Sequence, residues 1–142
     1  MHSIAARVKM QEHVALTDAD RLGWLAHLRG AIMCTLQSTK APAVVVTCSA
    51  LKAAYRDELR MLQDLAGIRT VFFMLETRQR EMLKERMSKR EGHYMDPCMV
   101  DAQVDALEAV QDYEVDSVQV DASRTREEVL ADIQAVAADY LH

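Results

Sequence analysis

Glycine is scarce in this chain. The four that occur, Gly23, Gly30, Gly67 and Gly92, lie far apart. No stretch can therefore form a glycine-rich turn whose backbone N–H groups cradle a nucleotide phosphate. The three cysteines, Cys34, Cys48 and Cys98, are odd in number and widely spaced. That is neither a disulfide framework nor a metal pattern, and it fits a reducing, cytoplasmic compartment. Positive charge is not in excess: the formal net charge is −5 at pH 7. A nucleic-acid partner, which calls for a basic footprint, is not expected. No apolar run approaches the ~20 residues of a membrane span, and Met1 to Arg7 lacks the apolar heart of a secretory leader. Neither membrane association nor export is expected.

What is present suits one domain. Half of the 142 residues are hydrophobic and 27% are charged, an ordinary balance for a folded chain. Nine methionines read as adaptable core filler. The first sixteen residues predict a short helix or loop. Thr17-Asp18-Ala19-Asp20 signals a helix start, and Trp24, Leu25, Leu28 and Ile32 carry that helix over about 17–37. Ala43 to Cys48 is apolar on both faces, as a buried parallel strand would be. A helix follows from Leu51 to Leu65, closed by Gly67. Thr70 to Leu75 is a second apolar strand. A charged helix runs from about Thr77 to Lys89, and another covers about 99–110. Ser117 to Asp121 alternates like a strand nearer an edge. Thr125-Arg126-Glu127-Glu128 is a capping box for a last helix whose Val129, Leu130, Ile133, Val136 and Tyr140 form one stripe. The order predicts an α/β fold with a parallel sheet. Its ligand crevice would lie at the strands' carboxyl ends, which carry Cys48 to Lys52, Glu76 to Arg78 and Asp121 to Ser123.

Two stretches there could hold an anion. Lys52, Arg56 and Arg60 stack on one helical face, either as a cradle for an anionic ligand or as a solvated basic face paired with Asp57 and Glu58. Arg86 and Arg90 lie one turn apart in a segment of six cations and three acids. They are either a phosphate-clamping lid or part of an exposed helix laced with ion pairs. His93 alone indicates little, Cys48 beside Ser49 has no partner base fixed by the sequence, and Asp18, Asp20 and Arg21 could be a cap plus a surface ion pair.

Taken together these segments resemble the gluconokinase family, P-loop kinases related in fold to shikimate and adenylate kinases. His2 resembles the end of the family's Asp-Asp-Leu-His, and Lys9-Met10 its Lys-Met. Leu16-Thr17-Asp18-Ala19-Asp20-Arg21-Leu22-Gly23-Trp24-Leu25 resembles Leu-Asn/Thr-Asp-x-Asp-Arg-x-Pro-Trp-Leu. Cys48-Ser49-Ala50-Leu51-Lys52-Ala53-Ala54-Tyr55-Arg56 is close to a family fingerprint. Arg86 through Arg90-Glu91-Gly92-His93-Tyr94-Met95 resembles the lid, and Asp101-Ala102-Gln103 with Leu107-Glu108 resembles Ser-Gln-x3-Leu-Glu. The resemblance covers essentially the whole chain. Departures are Gly23 for the family's Pro, Ala102 for its Ser, and Asp96 before Pro97. The family's opening strand and its Gly-x-x-Gly-x-Gly-Lys-Ser/Thr loop have no counterpart in these residues.

The resemblance implies a single domain over 1–142, incomplete at its N-terminal side, with a lid at about 77–98. It implies the three-layer parallel sheet of the P-loop kinases without its first strands, leaving a gap between 43–48 and 70–75. The implied reaction is ATP- and Mg²⁺-dependent phosphorylation of D-gluconate to 6-phospho-D-gluconate. His2, Arg21, Lys52, Tyr55 and Arg56 would line the sugar-acid side, and Arg86 and Arg90 would close over ATP as catalytic groups. No metal ligand is assigned. Without a phosphate cradle this chain is expected to be inactive alone, the alternative being a non-catalytic pseudokinase that binds a sugar acid or a partner. Family members are commonly dimers, so a homodimer is within expectation.

Overall fold

Reciprocal caps fix the frame of two helices. Thr17 accepts from the Asp20 N–H at 3.2 Å, while the Asp20 carboxylate accepts from the Thr17 N–H at 2.9 Å. Thr125 and Glu128 repeat the arrangement at 3.3 and 2.9 Å. Each box satisfies two of the donors that a helix start leaves unpaired. The computed structural model describes residues 4–12, 14, 16–77, 79–89 and 99–140. It contains α1 (Ile4–Gln11), α2 (Asp18–Thr39), α3 (Ala53–Ala66), β1 (Phe72–Glu76), α4 (Arg80–Ser88), α5 (Met99–Ala106), β2 (Ser117–Asp121) and α6 (Arg126–Ala138). Among the described residues, no helix is long and apolar enough to cross a membrane.

The α/β class and the parallel pairing are as expected. β1 and β2 pair in parallel, from Phe72 opposite Ser117 to Glu76 opposite Asp121. The core lies where α2 and α3 meet this sheet. Leu25, Leu28, Tyr55, Leu59, Phe72 and Met74 form one buried cluster, with Trp24, Ile32, Cys48, Leu107 and Val110 packed against it. Arg29 ties α2 to α3 by donating to the Glu58 carbonyl at 2.7 Å and to the Glu58 carboxylate.

Two expectations need correction. Residues 43–48, expected as a buried strand, form neither strand nor helix, and Val45 is 95% exposed. An apolar run becomes a strand only when a neighbour pairs with its backbone, and among the described residues nothing does. The helix expected over 99–110 stops at Ala106, because the backbone from Leu107 to Val110 turns to meet α3. The stripe of α6 is its less exposed side, with Val129, Ile133, Val136 and Tyr140 half-buried, although none of its residues is fully buried and Leu130 is half exposed.

Candidate ligand-binding site

The N-terminal ends of α2 and α3 converge, and the caps decide what they present. The capping box of α2 consumes Thr17 and Asp20 but leaves the Asp18 carboxylate facing outward. Lys52, the N-cap residue of α3, makes no side-chain cap. Its ammonium instead reaches across 34 positions to both Asp18 oxygens, each at 2.9 Å. Tyr55, in the first turn of α3, donates its hydroxyl to Asp18 Oδ1 at 2.5 Å. The Arg21 guanidinium lies 5.9 Å from the Tyr55 ring centroid and Lys52 Nζ 5.7 Å from it, both within cation–π range. Asp18, Arg21, Lys52 and Tyr55 thus form one cluster of two cations, a hydroxyl and a carboxylate.

The electrostatics follow from these bonds. The Tyr55 hydroxyl and then Lys52 hold the Asp18 carboxyl below the usual carboxylate range. Asp18 in turn raises Lys52, and burial followed by the Asp18 bond raises Tyr55. At neutral pH the cluster offers an ammonium and a phenol that stays a donor. Such a set recognises a carboxylate together with hydroxyl groups.

Arg56 sits otherwise than expected. Its side chain is fully buried. Nε and Nη2 donate to the two Glu114 oxygens at 2.6 and 2.7 Å. Nη1 donates to the carbonyls of Ala50, Leu51 and Glu108 at 3.1, 3.4 and 3.3 Å, and Nη2 to that of Ala109 at 3.3 Å. The donors of the guanidinium are spent inside the chain, so Arg56 faces the core rather than a cleft. Arg60, on the same face, bridges Glu114 and Asp116 at 2.8 and 2.7 Å. Glu108 belongs to the Leu107-Glu108 motif of the family resemblance, whereas Glu114 does not stand out in the sequence. The signal for Glu114 is the acid-rich stretch Asp112 to Asp116, which can answer the arginines stacked on α3.

Arg86 stands apart from this cluster, near the carboxyl end of β2. It donates to the Ala122 carbonyl and, at 3.3 Å, to the Arg124 carbonyl. His2, Arg90, His93 and most of the second half of the expected lid lie outside the described residues.

No protein-family model matches the chain. It is 36% identical over 129 residues to a probable gluconokinase of Schizosaccharomyces pombe, covering 90% of this chain and 66% of that protein. It is 35% identical over 113 residues to the thermosensitive gluconokinase of Escherichia coli, covering 80% of this chain and 57% of that one. The chain thus spans less than two thirds of either relative. In structure it matches a gluconokinase from Sinorhizobium meliloti with a TM-score of 0.74 and 33% identity, over 99% of this chain and 74% of that one. A sugar kinase from Janibacter matches with a TM-score of 0.74 and 32% identity, over 94% of this chain and 73% of the other.

Proposed function

The chain belongs to the gluconokinase family, and on that premise we propose that it carries the sugar-acid side of a kinase that uses ATP to convert D-gluconate to 6-phospho-D-gluconate. The observation that carries this is the meeting of Lys52, Tyr55 and Arg21 at the two helix starts. In this reading Lys52 binds the gluconate carboxylate, taking it in place of Asp18. Tyr55 donates to a sugar hydroxyl, and Arg21 adds positive charge beside the ring. His2 is assigned to the same side by kinship. Arg56 supports the site from beneath rather than touching the ligand. The segment 77–98 is the proposed lid, with Arg86 and Arg90 turned to ATP once it closes.

The described residues do not fit the nucleotide or its Mg²⁺. Among them no group of three or more His, Cys, Asp or Glu is placed to hold a metal ion. Gly23 and Gly30 lie inside α2 and Gly67 ends α3, so none shapes a phosphate cradle. ATP and Mg²⁺ therefore enter the proposed reaction by kinship alone. The lack of any glycine-rich loop in the 142 residues also favours a second reading, in which this chain binds the sugar acid without turning it over.

Calorimetric titration of the 142-residue chain with D-gluconate, beside a coupled kinase assay, tests both. Saturable binding is expected, weakened about tenfold or more by Lys52→Gln, the size of a lost charge-assisted hydrogen bond. No ATP-dependent product is expected. Absent binding, or binding indifferent to Lys52→Gln, removes the site. ATP-dependent product removes the non-catalytic reading.

A further inference from the structure

Lys52 is held at the mouth of the cluster by a turn that the chain does not adopt readily. Ala50, two residues before it, is buried and has φ 40, a left-handed conformation that costs a residue with a Cβ. Such strain persists only where the surroundings enforce it. Here the enforcing groups can be named. The Arg56 guanidinium takes the Ala50 and Leu51 carbonyls on one side and the Glu108 and Ala109 carbonyls on the other. Glu114 fixes that guanidinium in two places and is itself pinned by the Gln111 N–H at 2.9 Å. The Glu108 N–H donates to the Leu51 carbonyl at 2.8 Å. The Glu108 carboxylate accepts the Ala53 N–H at 2.7 Å, supplying the helix-start acceptor that Lys52 does not. The backbone on both sides of Lys52 is thus clamped to the connection between α5 and β2.

We infer that Arg56, Glu108 and Glu114 are positioning residues for Lys52: they convert the 107–114 connection into a support that fixes where the Lys52 ammonium meets Asp18 and an incoming anion. The inference rests on the proposed ligand role of Lys52 for its effect on binding, but not for its geometry. A bidentate Arg–Glu pair is directional, so a small change in it is passed to the turn as a displacement rather than absorbed. Glu108 acts at the first N–H of the helix that carries Tyr55, so both ligand-facing groups of α3 answer to the same support.

The test is NMR of the full chain with ¹⁵N-labelled lysine, reading the Lys52 ammonium resonance assigned through Lys52→Arg. Asp18→Asn defines its position when the partner carboxylate is lost. Glu108→Ala removes an exposed side chain and is expected to retain the fold. Glu114→Gln removes the buried anchor. Both are expected to move the Lys52 resonance most of the way to its Asp18→Asn position. Leu62, buried on the same helix, gives the control for general loosening: Leu62→Ala is expected to leave the resonance in place. D-gluconate affinity is expected to fall about tenfold in Glu108→Ala. A Lys52 resonance unmoved in Glu108→Ala, or moved equally by Leu62→Ala, overturns the inference. If the unaltered chain fails to bind gluconate, the ligand assignment falls, while the lysine resonances still decide the positioning role.

Discussion

Arg56 keeps a full charge where it has no exposed surface, a state tolerated only because Glu114 and four carbonyls take its donors. The Arg56 guanidinium, ahead of the Gln111 N–H and Arg60, holds the Glu114 carboxyl down at about 2, below its ordinary 4.5. The folded value is depressed. The stabilisation is therefore complete above pH 4.5 and is lost as the pH falls from there toward about 2. Glu114→Gln leaves a buried arginine without its counter-charge and is expected to cost about 3–5 kcal/mol at neutral pH. The gap between the two proteins should then close across that acid window. Urea unfolding over a pH series measures it, and a gap that stays constant down to pH 2 would contradict the assignment. The same residue marks how far the sequence could be read at this scale. Lys52 stands out locally as a cation opening a helix, while Arg21 and Tyr55 enter only through the family motifs that contain them. The role of Arg56 could not be picked out, since its partner is 58 positions away. Local spacing cannot tell a cation aimed at a ligand from one aimed at a buried acid.

Helix boundaries were most legible where the side chains themselves make the stop or start. Both capping boxes lie where Thr17 and Thr125 signalled them, and Gly67 ends α3 in the left-handed region with φ 63. The end of α2 lies two residues beyond the expected 37, and its cap is a lysine. Lys40 takes φ 52 while its N–H bonds the Leu36 carbonyl, a conformation for which glycine is the usual signal. Lys40→Gly should therefore stabilise the chain by about 0.5–1 kcal/mol, seen as a higher denaturation midpoint with an unchanged slope. Thr125→Ala should lose about 1 kcal/mol through the cap of α6. A destabilised Lys40→Gly would mean that the lysine side chain contributes more than its backbone costs. The premature end of α5 belongs here too. The pattern continues to Val110, but the Glu108 and Ala109 carbonyls accept from Arg56 instead of from a further turn, and tertiary structure overrides propensity.

At the scale of the molecule, the class was legible because runs of β-branched residues alternate with helical patterns, a property of the order of elements and not of any single contact. Pairing was not legible to the same degree. β1 has its partner in β2, and among the described residues no strand lies along its other edge. The apolar stretch 43–48 is likewise unpaired, with Val45 almost fully exposed and Val46 partly so, and Leu75 is more than half exposed on β1. Unpaired backbone beside exposed apolar side chains is a template for association between copies. A charge in such a stretch opposes that association while removing little that the fold uses. Val45→Lys is therefore expected to raise the concentration at which light scattering first detects aggregates. Its unfolding free energy should stay within about 0.5 kcal/mol of the unaltered chain, as for other exposed substitutions. An aggregation threshold that does not move would show that self-association runs through another surface, with Val115 in the turn before β2, 88% exposed, the next to change. A large loss of stability would show instead that residues 43–48 contribute to the folded state in a way their exposure does not reveal.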